Sequence, residues 1–240
     1  MRLRTSPFAA PIAFLAALIL LAGCASGPSP EPGDKSDQDR SQIYLELGMA
    51  YLQQGQTRKA LQKLKEAKSF GEDDARIHNA LGLAYQQLGF DDKAEEAFQE
   101  AIHLNAEDPQ VRNNYGVFLA QMGDYERARK QFERALEDPL YDSPESAYYN
   151  LGWLARRQGR PQRAEEMLRT AIRLQPGYPA ARLALARLLR EQGRPEEASE
   201  QVVEVLSRRP ESVSGHLLAA ELAMDRGDRS TARNHLAKVA

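Results

Sequence analysis

The sequence predicts an all-α fold in which six helix–turn–helix repeats stack into a right-handed superhelix. Three series of small residues predict it, because all three recur along the chain in one register. The first series, spaced by 34, 34, 36, 34 and 34 residues, comprises Gly55, Gly89, Gly123, Gly159, Gly193 and Gly227. The second comprises Ala60, Ala94, Ala128, Ala164, Ala198 and Ala232, and the third comprises Gly48, Gly82, Gly116, Gly152, Ala186 and Ala220.

A 34-residue period with this pattern is the signature of the tetratricopeptide repeat. The predicted repeats span about residues 41–74, 75–108, 109–144, 145–178, 179–212 and 213–240. Within a repeat, the glycine of the first series is expected to end the first helix in a left-handed conformation. The small residue of the third series lets the second helix approach closely. No repeat can bury its apolar face alone, so stacking must supply the core.

One step of the period is longer than the others and marks an insertion between repeats three and four. The extra residues lie in the segment 137–144, which contains Pro139 and Pro144. Proline does not continue a helix interior and restricts the residue before it. We therefore predict a fixed turn at this point.

The first 23 residues are predicted to be a lipoprotein signal peptide. Arg2 and Arg4 precede an apolar run from Phe8 to Ala22, which is too short for a comfortable transmembrane helix. Small residues then lead to Cys24, the single cysteine of the chain. We expect Cys24 to carry a covalent lipid, and we expect no cofactor. The alternative is an ordinary signal peptide that ends near a cysteine. In bacterial lipoproteins, an Asp directly after the lipidated cysteine indicates retention in the inner membrane. Ala25 follows Cys24 here, which favours the periplasmic face of the outer membrane.

Residues 24–40 are predicted to be the lipidated cysteine and a flexible tether, with the repeat domain at 41–240. The tether is rich in Pro, Gly and Ser and almost lacks apolar side chains, so it cannot offset its ordering entropy by burial. Sixteen residues of this kind have a root-mean-square reach of roughly 20–24 Å. Acyl chains together anchor a protein stably, so we expect the domain to stay near the membrane.

Composition and motifs exclude several classes of function. A net charge of −2, from 32 Lys and Arg against 34 Asp and Glu, argues against a nucleic-acid partner. The chain has no catalytic or nucleotide-binding motif, so we predict no enzyme activity and no small-molecule substrate. Packing or surface positions, rather than metal ligation, are expected for the histidines, which are His78, His103, His216 and His235. The paired glutamates that start second helices, such as Glu95 and Glu96, are interpreted as solvated.

The concave face of the superhelix is the predicted partner-binding surface, and we expect a monomer. Its wall is built from positions 2, 5, 9 and 12 of each repeat, counted from the first residue of that repeat. The wall is mostly apolar in repeat one and basic towards repeat five. The candidate binding residues are Leu45, Met49, Leu52, Asn79, Leu83, Asn113, Val117, Tyr149, Trp153, Arg156, Arg187 and Arg190. Trp and Arg dominate interface energetics. Local packing is the alternative for Trp153, and covering of the first repeat is the alternative for the leucines and Met49. A structural role is favoured for Asn114 and Asn150, with recognition of a peptide backbone as the alternative. Charged residues such as Glu133 predict a solvated convex face.

The chain resembles the PilF/PilW family of type IV pilus pilotins in its leader, tether and six repeats. The specific likeness lies in three segments, at residues 113–119, 135–141 and 149–152. The resemblance implies an outer-membrane lipoprotein that places the type IV pilus secretin and promotes its multimerisation. Many relatives carry cysteines where this chain has Ala120 and Ala155, so any disulfide they form is absent. The rival interpretation is an outer-membrane scaffold lipoprotein that organises other envelope machinery, such as peptidoglycan enzymes.

Overall fold

The computed structural model describes residues 36–71 and 73–239, and within them the chain forms helices and turns but no strand. The predicted signal peptide, Cys24 and the tether up to residue 35 lie outside the described residues. The helices are α1 Asp37–Gln53, α2 Thr57–Phe70, α3 Ala75–Gln87, α4 Asp91–Leu104, α5 Pro109–Gln121, α6 Tyr125–Ala135, α7 Pro144–Arg157, α8 Pro161–Leu174, α9 Pro179–Glu191, α10 Pro195–Arg208, α11 Val213–Asp225 and α12 Arg229–Leu236.

Consecutive helices pair into six repeats, and these confirm the predicted stack. We call the odd-numbered helices A helices and the even-numbered ones B helices. Each A helix packs on the B helix of its own repeat, each B helix contacts the next A helix, and consecutive A helices also touch. Residues 36–240 form one compact unit, and every residue of the buried core clusters lies between Leu45 and Ala232.

The first helix begins earlier than the sequence predicts. Helix α1 starts at Asp37 rather than at residue 41, so the last residues of the predicted tether are helical. The cause is a capping box: the Ser36 hydroxyl accepts from the backbone N–H of Asp39, and the Asp39 carboxylate accepts from the backbone N–H of Ser36. Such reciprocal bonds satisfy two donors that would otherwise be orphaned at the helix start.

The turn glycines of the first series adopt the predicted left-handed conformation. Their φ angles lie between +69° and +84°, and an added Cβ would meet nothing within 4 Å at any of them. Conformation, rather than lack of space, therefore selects glycine here. At Gly89, the turn is closed by the Phe90 N–H, which donates to the Tyr85 carbonyl at 3.0 Å.

The third series of small residues sets how closely A and B helices approach. An added Cβ on Gly82 would lie 2.8 Å from the Phe98 ring, and one on Gly116 would lie 2.6 Å from the Phe132 ring. Both rings are buried, at 0% and 1% exposure. In these repeats, therefore, glycine provides the space that a large aromatic ring fills.

The insertion forms the predicted turn between α6 and α7. The Tyr141 side chain is buried in a small core with Ala135 and Ala147, and its hydroxyl lies 3.1 Å from the Ser146 hydroxyl. The Asp138 carboxylate accepts from the Leu140 N–H at 2.8 Å. These bonds fix the extra residues as a defined structure on the surface.

Candidate partner-binding groove

The wall of the groove is formed by the A helices, and polar pairs connect each A helix to the next. Two rules describe most of these pairs: position 5 of one repeat bonds to position 6 of the next, and position 12 bonds to position 13 of the next. We call this line of contacts the seam. Its pairs are Asn79–Asn114, Asn113–Asn150, Gln86–Gln121, Arg156–Glu191 and Arg190–Asp225.

The predicted apolar strip at the start of the groove is largely buried between the first two A helices. Leu45 is 5% exposed and Leu52 is 9% exposed, and both belong to the core cluster that contains Ala80 and Ala84 of α3. The expectation that both leucines present open surface to a partner is therefore wrong. Positions 5 and 12 become core when they are apolar, because the following A helix covers them. Met49 packs at the edge of this cluster and stays half-buried.

A cavity of about 430 Å³ opens on the groove beside the first A helix. Its lining brings together three predicted binding residues, namely Leu45, Met49 and Asn79, with Arg76 and Asp108 among the polar groups around them. Its lining combines apolar side chains with groups of both charges. This arrangement suits an extended peptide that offers one apolar side chain and polar groups on either side.

The asparagines of the wall are bonded to one another across repeats. Asn114 donates from Nδ2 to Oδ1 of Asn79 at 3.0 Å, and Asn150 donates to Oδ1 of Asn113 at 3.0 Å. Asn113 is only 6% exposed. These bonds favour the structural role that the sequence suggests for Asn114 and Asn150, and they leave Asn113 little surface for a partner.

The arginines of the wall are largely neutralised by acidic residues of the next repeat. Arg156 donates from Nε to Glu191 at 2.9 Å, and Arg190 donates from Nε to Asp225 at 2.5 Å. Hydrogen bonds from these arginines lower the pKa of both carboxyl groups. Arg187 is exposed and has no ion pair in the described part of the chain. The expectation of a basic wall towards repeat five is therefore wrong, except at Arg187.

The aromatic residues in the middle of the wall pack on their neighbours. Trp153 makes an edge contact with Tyr125, with ring centroids 6.3 Å apart, and the Arg157 guanidinium lies 5.2 Å from its centroid. Tyr149 makes a similar contact with Tyr178 at 5.6 Å, and burial raises the pKa of Tyr178 to about 12. Trp153 and Tyr149 remain partly exposed, so local packing and partner contact are both compatible with them.

The other two wall residues that we predicted, Leu83 and Val117, are also partly exposed. Leu83 packs at the boundary between the first two core clusters of the chain, and Val117 packs against the cluster around Phe118. They connect the cavity near Met49 to the aromatic residues in the middle of the wall.

On the outer face, an interaction between repeats was missed at the sequence level. Glu95 Oε1 accepts from Arg127 Nη2 at 2.7 Å and from the Tyr115 hydroxyl at 3.0 Å. The hydrogen bond from Arg127 is the largest cause of the lowered pKa of Glu95. Glu165 and Arg194 form an equivalent pair at 2.7 Å. Glu95 and Glu165, each the first of two adjacent glutamates, therefore link successive repeats and are not simply solvated.

Two of the histidines occupy packing positions, whereas His103 is exposed. His78 and His216 are buried, at 5% and 3% exposure. The ring of His216 bonds to the carbonyl of Pro210 at 2.7 Å and to the His235 ring at 2.9 Å, and that second contact was not anticipated. Among the described residues, no group of three His, Cys, Asp or Glu side chains could hold a metal ion. The described helices also include none with the length and apolar character needed to span a bilayer.

Family profiles for the tetratricopeptide repeat match residues 37–89, 75–108, 107–177 and 155–214. The chain is therefore a tetratricopeptide repeat protein, as its fold indicates. No curated protein matches the sequence.

Two solved structures of pilus proteins are similar to it over nearly their whole length. PilF of Pseudomonas aeruginosa is 28% identical, with a TM-score of 0.74 over 84% of this chain and 90% of PilF. PilW, described as a widely conserved type IV pilus biogenesis factor, is 27% identical, with a TM-score of 0.75 over 83% of this chain and 91% of PilW. The repeat protein YrrB, 20% identical with a TM-score of 0.53 over 73% of this chain and 90% of YrrB, shares the fold.

Proposed function

We propose that this protein is an outer-membrane lipoprotein of type IV pilus biogenesis that assists the localisation and multimerisation of the pilus secretin. The observation that carries the proposal is the end-to-end likeness to PilF and PilW at 27–28% identity. The lipidation motif at Cys24 supports the anchoring part, because it stands directly ahead of the tether and the repeats.

Binding through the groove supplies the mechanism. The cavity beside Met49 accepts an apolar side chain, and the wall continues past Leu83 and Val117 to Trp153. A partner segment that follows this wall would contact several repeats at once, so its affinity would depend on the repeats being stacked. The protein acts as a binding partner and not as an enzyme, and the lipid on Cys24 keeps it at the periplasmic face of the outer membrane.

Deletion of the gene tests the identity of the client. We expect secretin monomers or mislocalised multimers and loss of twitching motility, with restoration by the wild-type gene. Normal heat-resistant secretin multimers in the outer membrane of the deletion strain would refute the proposal and favour a scaffold for other envelope machinery.

A Cys24→Ala variant tests the anchor. Because every core residue in the described part of the chain lies after residue 40, the repeat domain should fold normally while the protein leaves the outer-membrane fraction. If the variant still sediments with the outer membrane, lipidation is not what holds it there.

Groove variants test the binding surface. Loss of an anchor side chain typically costs about 2–4 kcal/mol of binding, so Met49→Ala and Trp153→Ala should weaken secretin binding by roughly 30- to 800-fold. The matched control is Glu133→Ala on the outer face, which should cost much less than about 1 kcal/mol. Each variant is first shown by circular dichroism to be folded. The groove assignment fails if both groove variants bind like wild type and the control does not.

A further inference from the structure

The outer side of α1 presents apolar residues that the other repeats bury. Ile43 and Leu47 hold positions 3 and 7 of their repeat and are 40% and 36% exposed. In the next repeats the same positions hold Ile77 at 0% and Leu81 at 4%, and then Val111 at 1% and Tyr115 at 3% exposure. Those side chains are covered by the preceding repeat. Among the described residues, no repeat precedes α1.

Aromatic and cationic side chains border this open face on the side of α2. The Lys63 ammonium lies 5.3 Å from the Tyr44 ring centroid, and the Lys59 ammonium lies 5.7 Å from that of Tyr51. Both rings are partly exposed. Apolar residues beside tyrosines and lysines form the composition that proteins place at the interface between water and lipid.

Positive charge is concentrated in α2. This helix carries five cationic residues against one acidic residue, Glu66, and thus a net charge of +4. The next B helix, α4, carries five acidic residues against Lys93, a net charge of −4 when His103 is neutral. Of the B helices, α2 carries the largest net positive charge, and it belongs to the repeat that also exposes the apolar face.

The acidic residues of α1 do not cancel this charge at the open face. Asp39 is held in the capping box, and Asp37 lies 3.7 Å from Arg40. Glu46 lines the cavity of the groove, on another side of the helix. Glu66 pairs with Lys63 at 2.9 Å. Of the other four cations of α2, Lys59 lies beside Tyr51 at the open face, whereas Lys65 and Lys68 line a cavity towards the second repeat together with Glu96 and Glu100.

We propose that the open face of the first repeat, formed by Ile43, Leu47 and the basic helix α2, rests on the anionic headgroup surface of the membrane that holds the protein. The inference rests on the proposed anchoring at Cys24. Only eleven residues lie between Cys24 and Ser36, and even fully extended this stretch spans at most about 40 Å. The anchor thereby gives this face a high effective concentration at the bilayer, so a weak contact suffices. The contact would orient the groove relative to the membrane plane.

The test uses the repeat domain from Ser36 onward, which forms its own compact unit and lacks the lipid. Cosedimentation is measured with vesicles of phosphatidylethanolamine and phosphatidylglycerol, and with vesicles of phosphatidylcholine alone. We expect binding to the anionic vesicles that weakens as salt is raised, and little binding to the zwitterionic ones. Equal binding to both, or none to the anionic vesicles at low salt, would overturn the proposal.

Two matched pairs of variants locate the contact. Lys59→Gln should weaken binding about fivefold, corresponding to about 1 kcal/mol per surface cation, whereas Lys130→Gln on α6 should not. Ile43→Ser should weaken binding. Leu217→Ser on α11 should not, although Leu217 is 41% exposed and Ile43 is 40% exposed. Equal losses in a variant and its control would contradict the assignment.

A second copy of the chain is the other occupant to test. Concentration-dependent dimers in gel filtration that Ile43→Ser abolishes, without vesicle binding, would assign the face to self-association instead. Failure of the vesicle experiment leaves the secretin proposal intact, because the deletion phenotype does not depend on this face. Conversely, vesicle binding can persist if the client is another protein.

Discussion

Replacement of Gly116 by alanine should destabilise the repeat domain by forcing a methyl group into a fully packed ring. The added Cβ would lie 2.6 Å from Cε1, 2.8 Å from Cδ1 and 3.1 Å from Cζ of Phe132. That ring is 1% exposed and cannot move aside. Overpacking costs about 1–3 kcal/mol, while alanine recovers about 1 kcal/mol of helix propensity. With three ring atoms in the clash, the upper value applies, and the net loss is about 2 kcal/mol.

The fifth repeat shows how the same clash is relieved. Ala186 stands at the position of the glycine, and Val202 stands where the third repeat has Phe132; both are buried in one core cluster. The double variant Gly116→Ala with Phe132→Val reproduces this combination. Phe132→Val alone should cost about 2–3 kcal/mol, less than a change to alanine. The double variant should be more stable than the sum of the single changes by about 1–2 kcal/mol, because the new methyl group fills the vacated space.

Urea unfolding followed by circular dichroism measures these differences as shifts of the midpoint at constant slope. The control is Gly123→Ala, where φ is +84° and nothing lies within 4 Å of an added Cβ. That change should cost about 1–2 kcal/mol through the left-handed conformation alone, and Phe132→Val should not relieve it. If the Gly116 and Phe132 changes prove additive within about 0.5 kcal/mol, the steric argument is wrong.

Two further predictions concern contacts between neighbouring elements. Glu95→Gln removes the ion pair with Arg127 and weakens the bond from the Tyr115 hydroxyl, and at this partly exposed site it should cost about 0.5–1 kcal/mol at pH 7. Because the folded state lowers the pKa of Glu95 below 4.5, its contribution is present above that value and is lost as the pH falls through the folded-state pKa. The difference from wild type in urea unfolding should therefore vanish in acid; a constant difference would contradict the assignment. Tyr141→Phe removes the contact with Ser146 and should cost about 1 kcal/mol, and an unchanged midpoint would show that the hydroxyl is not needed to hold the inserted turn.

The repeat architecture was predictable because the small residues it requires recur along the sequence with a nearly constant period. The glycine at φ > 0 and the small residue opposite a large ring are each required by the geometry of one repeat. They therefore recur wherever the repeat recurs, as at Gly89 and Gly82. The start of α1 was not predictable from composition, since the Pro-rich, Ser-rich and Asp-rich residues before it resemble a tether. The signal that could have shown it was the spacing of Ser36 and Asp39 as a capping box.

The wall of the groove was predicted less well, because its character depends on pairs of repeats. Reading positions on one helix identifies Arg156 as a cation but does not show that Glu191, one position beyond the wall of the next helix, neutralises it. The same reading treats Leu45 as surface, although the next A helix covers it. The sequence signal for the Arg156–Glu191 pair is a basic residue at position 12 of one repeat followed by an acidic residue at position 13 of the next.

The seam also explains why the two ends of the domain differ from its middle. Stability in a repeat array is approximately the sum of the repeats and their nearest-neighbour interfaces, so each terminal repeat lacks one interface. At the C-terminal end, Leu217 and Met224 hold positions 5 and 12 and are 41% and 54% exposed, because no further A helix in the described chain covers them. At the N-terminal end, Ile43 and Leu47 are exposed because no helix of the described residues precedes α1 and covers them. Of these two apolar ends, the N-terminal one includes the +4 helix α2 and is separated from the proposed anchor by only eleven residues of sequence, which is why we assign the membrane to that end.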